Sequence, residues 1–395
     1  MSSLFASCRE RLFVCLVWSC FAFACSNHHH PGDGGVSVVP DGAVSHAGTV
    51  DAGVPVSIDA SLVDAAAVVC SEPDSGLPSD VFCTGLYKGQ DPMQHVSGAM
   101  PYTPGVRFWS DGAQKDRFLY LPPSTQIDTS KLDSWKFPVG TKAWKEFRLD
   151  GKLVETRILW KRSASKWESG AYIWDSAGVT ATLNTDLKPV LLASGYEIPT
   201  ARDCGKCHHG GSDTLLGVEA VALALPGADG ANLTKLASTG LLSHPPDQTT
   251  LVLPEDGTGK ASAALGYLHA NCGMPCHSTR GLGDETLLVL RLRADEFWPA
   301  GGADAGVAAA DSGTVPASVA TTDTYIATVN QKPTTASVAQ KYPGAYRIVP
   351  GVHDKSLLWQ LAHVRGNYQM PPLVSHQVDE VGTQMLADWI DALPH

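Results

Sequence analysis

The chain has 395 residues, 44% of them hydrophobic and 17% charged, with a formal net charge of −11. That length allows two or three cores, and the acidic balance excludes nucleic acid as a partner while favouring basic surfaces on other proteins. Ten cysteines and fourteen histidines set the chemical question, because both residue types hold metals and cofactors.

Arg9 and Arg11 precede an apolar run from Leu12 to Ala24 that ends in small residues. This reads as a secretory signal peptide over residues 1–24, too short for a membrane span. Cys25 directly after it suits lipid acylation, so the expected location is the periplasmic side of the cell envelope, anchored to the outer membrane through Cys25. A soluble periplasmic protein is the alternative, and no other membrane contact is expected. Residues 25–69 are rich in Gly, Ala, Val, Asp, Ser and Pro, lack aromatics and read as a flexible tether, with His28 to His30 as solvated parts of it.

Residues 70–198 read as a β-rich domain. Trp144 to Arg148 and Val154 to Lys161 flank Asp150-Gly151, a strong hairpin signal. Ala171 to Trp174 and Val179 to Leu183 flank a second turn at Ser176 to Gly178. Tryptophans on such strands are expected in the core. Cys70 and Cys83 are expected to form a disulfide in an oxidising compartment.

Residues 199–259 form the first motif region. Pro199 and Thr200 start a short helix that carries Cys204-Gly-Lys-Cys207-His208, and a second helix is predicted over Ala231 to Ser238. Residues 260–395 form a last domain. Its first helix, Lys260 to Asn271, places Leu265, Leu268, His269 and Cys272 on one face, and Cys272-Gly-Met-Pro-Cys276-His277 follows. A strand is predicted over Leu287 to Leu292, a disordered insertion over 299–321, and a terminal helix over Val378 to Ala392 with Val381, Met385, Leu386 and Trp389 as its apolar stripe.

Cys-x-x-Cys-His is the spacing of covalent c-type haem attachment: two thiols on one turn meet the two haem vinyl groups, and the next residue offers its imidazole to the iron. The second motif has one extra residue between its cysteines. Two covalent haems c are therefore expected, held by Cys204, Cys207 and His208 and by Cys272, Cys276 and His277. The rivals are a Cys2His2 zinc site built from both clusters, and a redox-active cysteine pair, which would need a βαβ setting that is not seen around Cys204. Met370, next to Pro371 and Pro372, is the expected distal ligand of the second haem, since a thioether favours ferrous iron and prolines fix its loop. For the first haem, His244 before Pro245 and Pro246 is favoured; His269, Met100 or an open site remain alternatives.

With those residues in place, the chain resembles a group of bacterial di-haem cytochrome c-like proteins, many of them lipoproteins of myxobacteria. The resemblance runs from about Pro101 to the end. It is carried by Phe108-Trp-Ser-Asp-Gly112, Phe137-Pro-Val-Gly-Thr-Lys142, Trp144-Lys-Glu-Phe147, Val154-Glu-Thr-Arg157, Tyr267-Leu-His-Ala-Asn-Cys272, Arg347-Ile-Val-Pro-Gly351 and Met370-Pro-Pro-Leu373. It implies haem binding and electron transfer, with no settled reaction.

The expected protein is thus a multidomain α+β chain, with a β-rich N-terminal domain before mainly α, cytochrome c-like haem domains. It is expected to exchange electrons with redox partner proteins that dock through basic surfaces. A di-haem peroxidase-like oxidoreductase, or a binding module with structural haem or zinc, are the alternatives.

Overall fold

The alternating pattern of residues 100–183 folds into a seven-stranded antiparallel sheet that also recruits a short strand from later in the chain. Its strands are β1 (Met100–Thr103), β2 (Gln114–Tyr120), β3 (Lys142–Leu149), β4 (Lys152–Lys161), β5 (Trp167–Trp174), β6 (Ala181–Leu183) and β7 (Asp229–Gly230). They lie in the order β7-β1-β2-β3-β4-β5-β6. Asp150 and Gly151, at φ 49° and 77°, close the β3–β4 hairpin with the pair of left-handed residues that matches strand twist. This is a computed structural model, and it describes residues 70–208, 213, 215–279, 281–298 and 318–395. The signal segment, the tether with Cys25 and His28 to His30, and residues 299–317 lie outside the described residues.

Because side chains alternate across a strand, the sheet has two unlike faces. One face carries Phe118, Trp144, Ile158, Trp160, Tyr172 and Trp174, packed against Val81, Phe82, Leu86 and Tyr87. Trp144, Trp160 and Trp174 are buried, so these strand tryptophans are core residues, as their pattern predicts, while Trp167 is half-buried. The segment that covers this face is tied down by the Cys70–Cys83 disulfide. Closing so short a loop contributes roughly 3 kcal/mol by chain entropy.

The other face turns toward the helices. Leu119, Ala143 and Leu159 join a core with Leu236, Leu265, Leu268, Leu386 and Trp389. These come from α3 (Leu233–Ser238), α4 (Ala261–Leu268) and α5 (Glu380–Ala392), which follow α1 (Ala201–Cys207) and α2 (Ala220–Ala224). Further short helices fill the chain between α4 and α5. The architecture is mixed α+β, and sheet and helices share this core.

Three elements differ from the sequence expectation. Residues 287–292 are not a strand: Leu290 and Leu292 are buried, but their N–H groups bond the His277 carbonyl and His269 Nδ1, at 2.9 and 3.0 Å, instead of a neighbouring strand. In α5 the inward stripe is Gly382, Leu386, Trp389 and Ile390, and Val381 is exposed. Gly382 faces α4 so closely that a Cβ there would lie 2.2 Å from the Tyr267 ring. Of the low-complexity tract, residues 319–321 form a 3-10 turn, and Val319 is fully buried.

One buried ion pair ties the chain after the first motif to the sheet. Asp213 accepts from Lys161 Nζ at 2.6 Å, Trp167 Nε1 at 2.7 Å and the Phe137 N–H at 2.6 Å. Both side chains are nearly enclosed, at 5% and 3% exposure. Asp213→Ala leaves an uncompensated buried ammonium and is expected to cost about 3–5 kcal/mol in denaturant unfolding. A loss below about 1 kcal/mol, the value of a surface pair, would show that Lys161 finds water instead.

Candidate functional site

Both cysteine motifs open onto one cavity. Its volume is about 430 Å³, in the range of sites for cofactor-sized ligands, and its walls are mainly apolar. Cys204, Cys207 and His208 line it from one side, and Cys272, Cys276 and His277 from another. Met370 and the following prolines form part of the wall.

The first motif rides α1. Thr200 caps this helix through a reciprocal pair: its hydroxyl accepts from the Asp203 N–H at 3.3 Å, and Asp203 Oδ2 accepts from the Thr200 N–H at 3.1 Å. At the other end the His208 N–H donates to the Cys204 carbonyl at 2.9 Å, an ordinary α-helical bond.

The second motif makes the corresponding bond with a longer ring. The His277 N–H donates to the Cys272 carbonyl at 2.8 Å, one residue further along the chain than the helical spacing. The Met274 N–H likewise bonds the His269 carbonyl at 2.8 Å, and His269–Gly273 is a π-helical turn. A π-turn absorbs one inserted residue without breaking a helix. The extra residue between Cys272 and Cys276 is therefore taken up in the backbone, and each histidine is tied to the first cysteine of its motif in the same way.

The ring of His277 has a fixed tautomer. Thr286 Oγ1 donates its only proton to the Gly283 carbonyl at 2.6 Å, so it must accept from His277 Nδ1, 3.2 Å away. That leaves the proton on Nδ1 and the lone pair on Nε2. Burial, with the nearby Arg347 guanidinium, lowers the pKa of this imidazole to about 4, which keeps it neutral. A second partner that orients a histidine and sets its tautomer is the usual companion of a metal-ligating imidazole. Arg347 supports the arrangement from behind by donating to the Thr286 carbonyl at 2.7 Å.

All four motif thiols are free of disulfides. Burial pushes Cys272 up to about 12 and Cys276 up to about 11, the latter also through Cys207 across the cavity. Cys204 and Cys207 are raised by burial too. With nothing bound, such thiols stay protonated at neutral pH, which does not suit a reactive redox pair. An uncharged thioether suits these surroundings. Among the described residues, no three His, Cys, Asp or Glu side chains gather where they could share a metal ion. The donor set (paired free thiols, a neutral imidazole with Nε2 bare and a thioether on the cavity wall) fits a covalently attached haem.

Three of the proposed distal residues are not brought to this cavity. His244 is exposed; its backbone is bonded to Thr129, and its Nδ1 lies 2.9 Å from the Ser243 hydroxyl. His269 is fully buried, and both ring nitrogens are used: Nδ1 accepts from the Leu292 N–H and Nε2 donates to Glu219 at 3.2 Å. Helical periodicity put it beside Cys272, but the π-turn that begins at His269 separates the two. Met100 packs against the main core. Met370 does line the cavity. Its N–H donates to the Leu361 carbonyl at 2.8 Å, and Gln369 Nε2 braces the loop through the Pro371 and Ser375 carbonyls at 3.1 and 2.7 Å.

Other contributors carry no motif. Asn271 Oδ1 accepts from the Trp109 N–H at 2.6 Å, and its amide donates to the Arg107 carbonyl at 2.8 Å. Asp111 accepts from the His376 and Gln377 N–H groups at 2.8 and 3.1 Å. The 107–111 segment thus straps the second motif to the loop after Met370. On the sheet, Lys115, Arg117, Lys145 and Arg157 also face the cavity. Strand alternation would have flagged these cations, since they share a face with Leu119, Ala143 and Leu159. Compared with protein-family models, curated proteins and solved structures, the chain matches none of them.

Proposed function

We propose that the chain is an exported c-type cytochrome that carries two covalent haems in one cavity and transfers electrons. The observation that carries this reading is the shared hydrogen bond: in both motifs the histidine N–H is tied to the carbonyl of the first cysteine, around one apolar cavity. A bound haem supplies a one-electron Fe(III)/Fe(II) couple. The protein's part is to hold and tune it. Cys204 and Cys207, and Cys272 and Cys276, would become uncharged thioethers, and His208 and His277 would offer their imidazoles to iron. Thr286 keeps the His277 lone pair on Nε2, and Arg347 holds Thr286 in place. Met370 offers a soft, neutral sulfur, which favours the reduced state. Phe108, Phe147, Ile158 and Leu288 help to exclude water from the walls.

On this reading the chain belongs with the di-haem cytochrome c-like lipoproteins that its strings resemble, matured on the periplasmic side and anchored at Cys25. The net charge of −11 favours redox partners that present a basic surface. The test is a pyridine haemochrome assay with intact mass on protein matured in a periplasm. Two haems per chain are expected. A chain with free thiols and no haem overturns the reading, and a single haem overturns its di-haem form.

A further inference from the structure

Granting the di-haem reading, the first haem lacks a distal ligand among the histidines and methionines considered above, and the cavity wall offers another donor. On the sheet, Arg117 lies directly across from Lys145, and Lys145 directly across from Arg157. Three cations therefore stand side by side on neighbouring strands, an arrangement that repels itself. All three side chains line the cavity together with Cys204 and Cys207. Arg157 is held by Glu155, at 2.6 and 2.9 Å. Among the described residues, Lys145 has no hydrogen bond or ion pair from its side chain.

An ammonium left without a partner between two guanidiniums, in an apolar wall, is under pressure to lose its proton. Burial, then Arg117 and Arg157, lower Lys145 to about 7, which makes the neutral amine readily available. Two neighbouring donors on this wall already have partners. Lys115 Nζ donates to the Phe108 carbonyl, and the Tyr196 hydroxyl donates to Glu155 at 2.9 Å. Met370 lies with Pro371, Pro372 and Leu373 on the wall formed by the terminal loop.

We infer that Lys145 supplies the distal ligand of the haem held by Cys204, Cys207 and His208. The amine, its proton given to solvent, would offer its lone pair to the iron. The flanking arginines stay charged and discourage reprotonation. The two haems would then differ in kind: a nitrogen–nitrogen pair at the first iron, and a nitrogen–thioether pair at the second. The softer second site has the higher potential, which gives the relay a direction.

The test uses the full chain matured with its haems, and reads the ferric spin state by electron paramagnetic resonance and near-infrared charge-transfer bands. Two variants separate ligation from charge. Lys145→Arg keeps the positive charge and has no lone pair to give; Lys145→Ala removes both. In the wild type both haems are expected to be low-spin. In each variant one of the two should become high-spin, with haem content unchanged and the thioether signature of the other haem retained. Lys145→His, which can ligate, should restore a low-spin pair with altered signals and serves if the other variants fold poorly. If both haems stay low-spin in the Arg and Ala variants, or the first haem of the wild type is already high-spin, the inference is overturned. Those results are distinct from failure of the cytochrome reading itself, which appears as fewer than two haems on the wild-type chain.

Discussion

Replacing His277 with alanine is expected to remove one of two waves from a redox titration and leave the other in place. On the proposed reading, Cys272 and Cys276 would still hold their haem through thioethers, so the haem count should stay at two while His277 no longer offers its nitrogen to the iron. The geometry supplies graded versions of the same experiment. A Cβ at Gly283 would lie 2.6 Å from His277 Nδ1 and 2.8 Å from its Cε1. Gly283→Ala must therefore turn the ring away from its present plane. Thr286→Val removes the acceptor that holds the proton on Nδ1, and losing such a supporting partner typically costs about 10–100-fold in metal affinity or activity. The expected order of disturbance is His277→Ala, then Gly283→Ala, then Thr286→Val. An unchanged titration in His277→Ala would show that this histidine is not a ligand.

Met370→Ala should have the second large effect. Axial ligands command a span of about 0.8 V in haem potentials, so if Met370 holds the second haem as proposed, exchanging its thioether for water or another donor should lower that haem by on the order of 0.1 V or more. The weak red-edge absorption band of ferric thioether-ligated haem should vanish with it. The loop itself should survive, because its braces come from elsewhere: the Met370 N–H on the Leu361 carbonyl and Gln369 on the Pro371 and Ser375 carbonyls. A wild-type protein without the band, or a variant that keeps both band and potential, would leave Met370 as a wall residue only. Met385, on the terminal helix, serves as a control, since it is absent from the cavity wall and its replacement should leave both observables alone.

The two predictions differ in how far they could be reached from sequence. His277 follows from a local pattern, because a cysteine pair and its histidine lie within one or two turns and their spacing limits what they can hold. Met370 needed the adjacent prolines to stand out from a core methionine. His244 also had adjacent prolines, yet the fold leaves it exposed beside Thr129, because nothing in a local window says which loop a distant cavity will use. His269 shows the same limit on a helix. Its spacing from Cys272 is helical, but the chain turns into a π-helical turn at His269, and the histidine goes to Glu219 in the core.

The amino-acid sequence alone determined what depends on neighbours along the chain. The Asp150-Gly151 hairpin needs only two residues that tolerate positive φ; the first motif helix needs only Thr200 and Asp203; and the two motifs need only their spacing. The tertiary structure decided what depends on elements far apart meeting. It brought residues some seventy positions apart onto one cavity, turned the cationic row Arg117, Lys145 and Arg157 toward it, and used the 107–111 segment to join Asn271 to the loop after Met370. Such meetings follow from the packing of a whole core, in which each contact is worth little and the sum selects the arrangement.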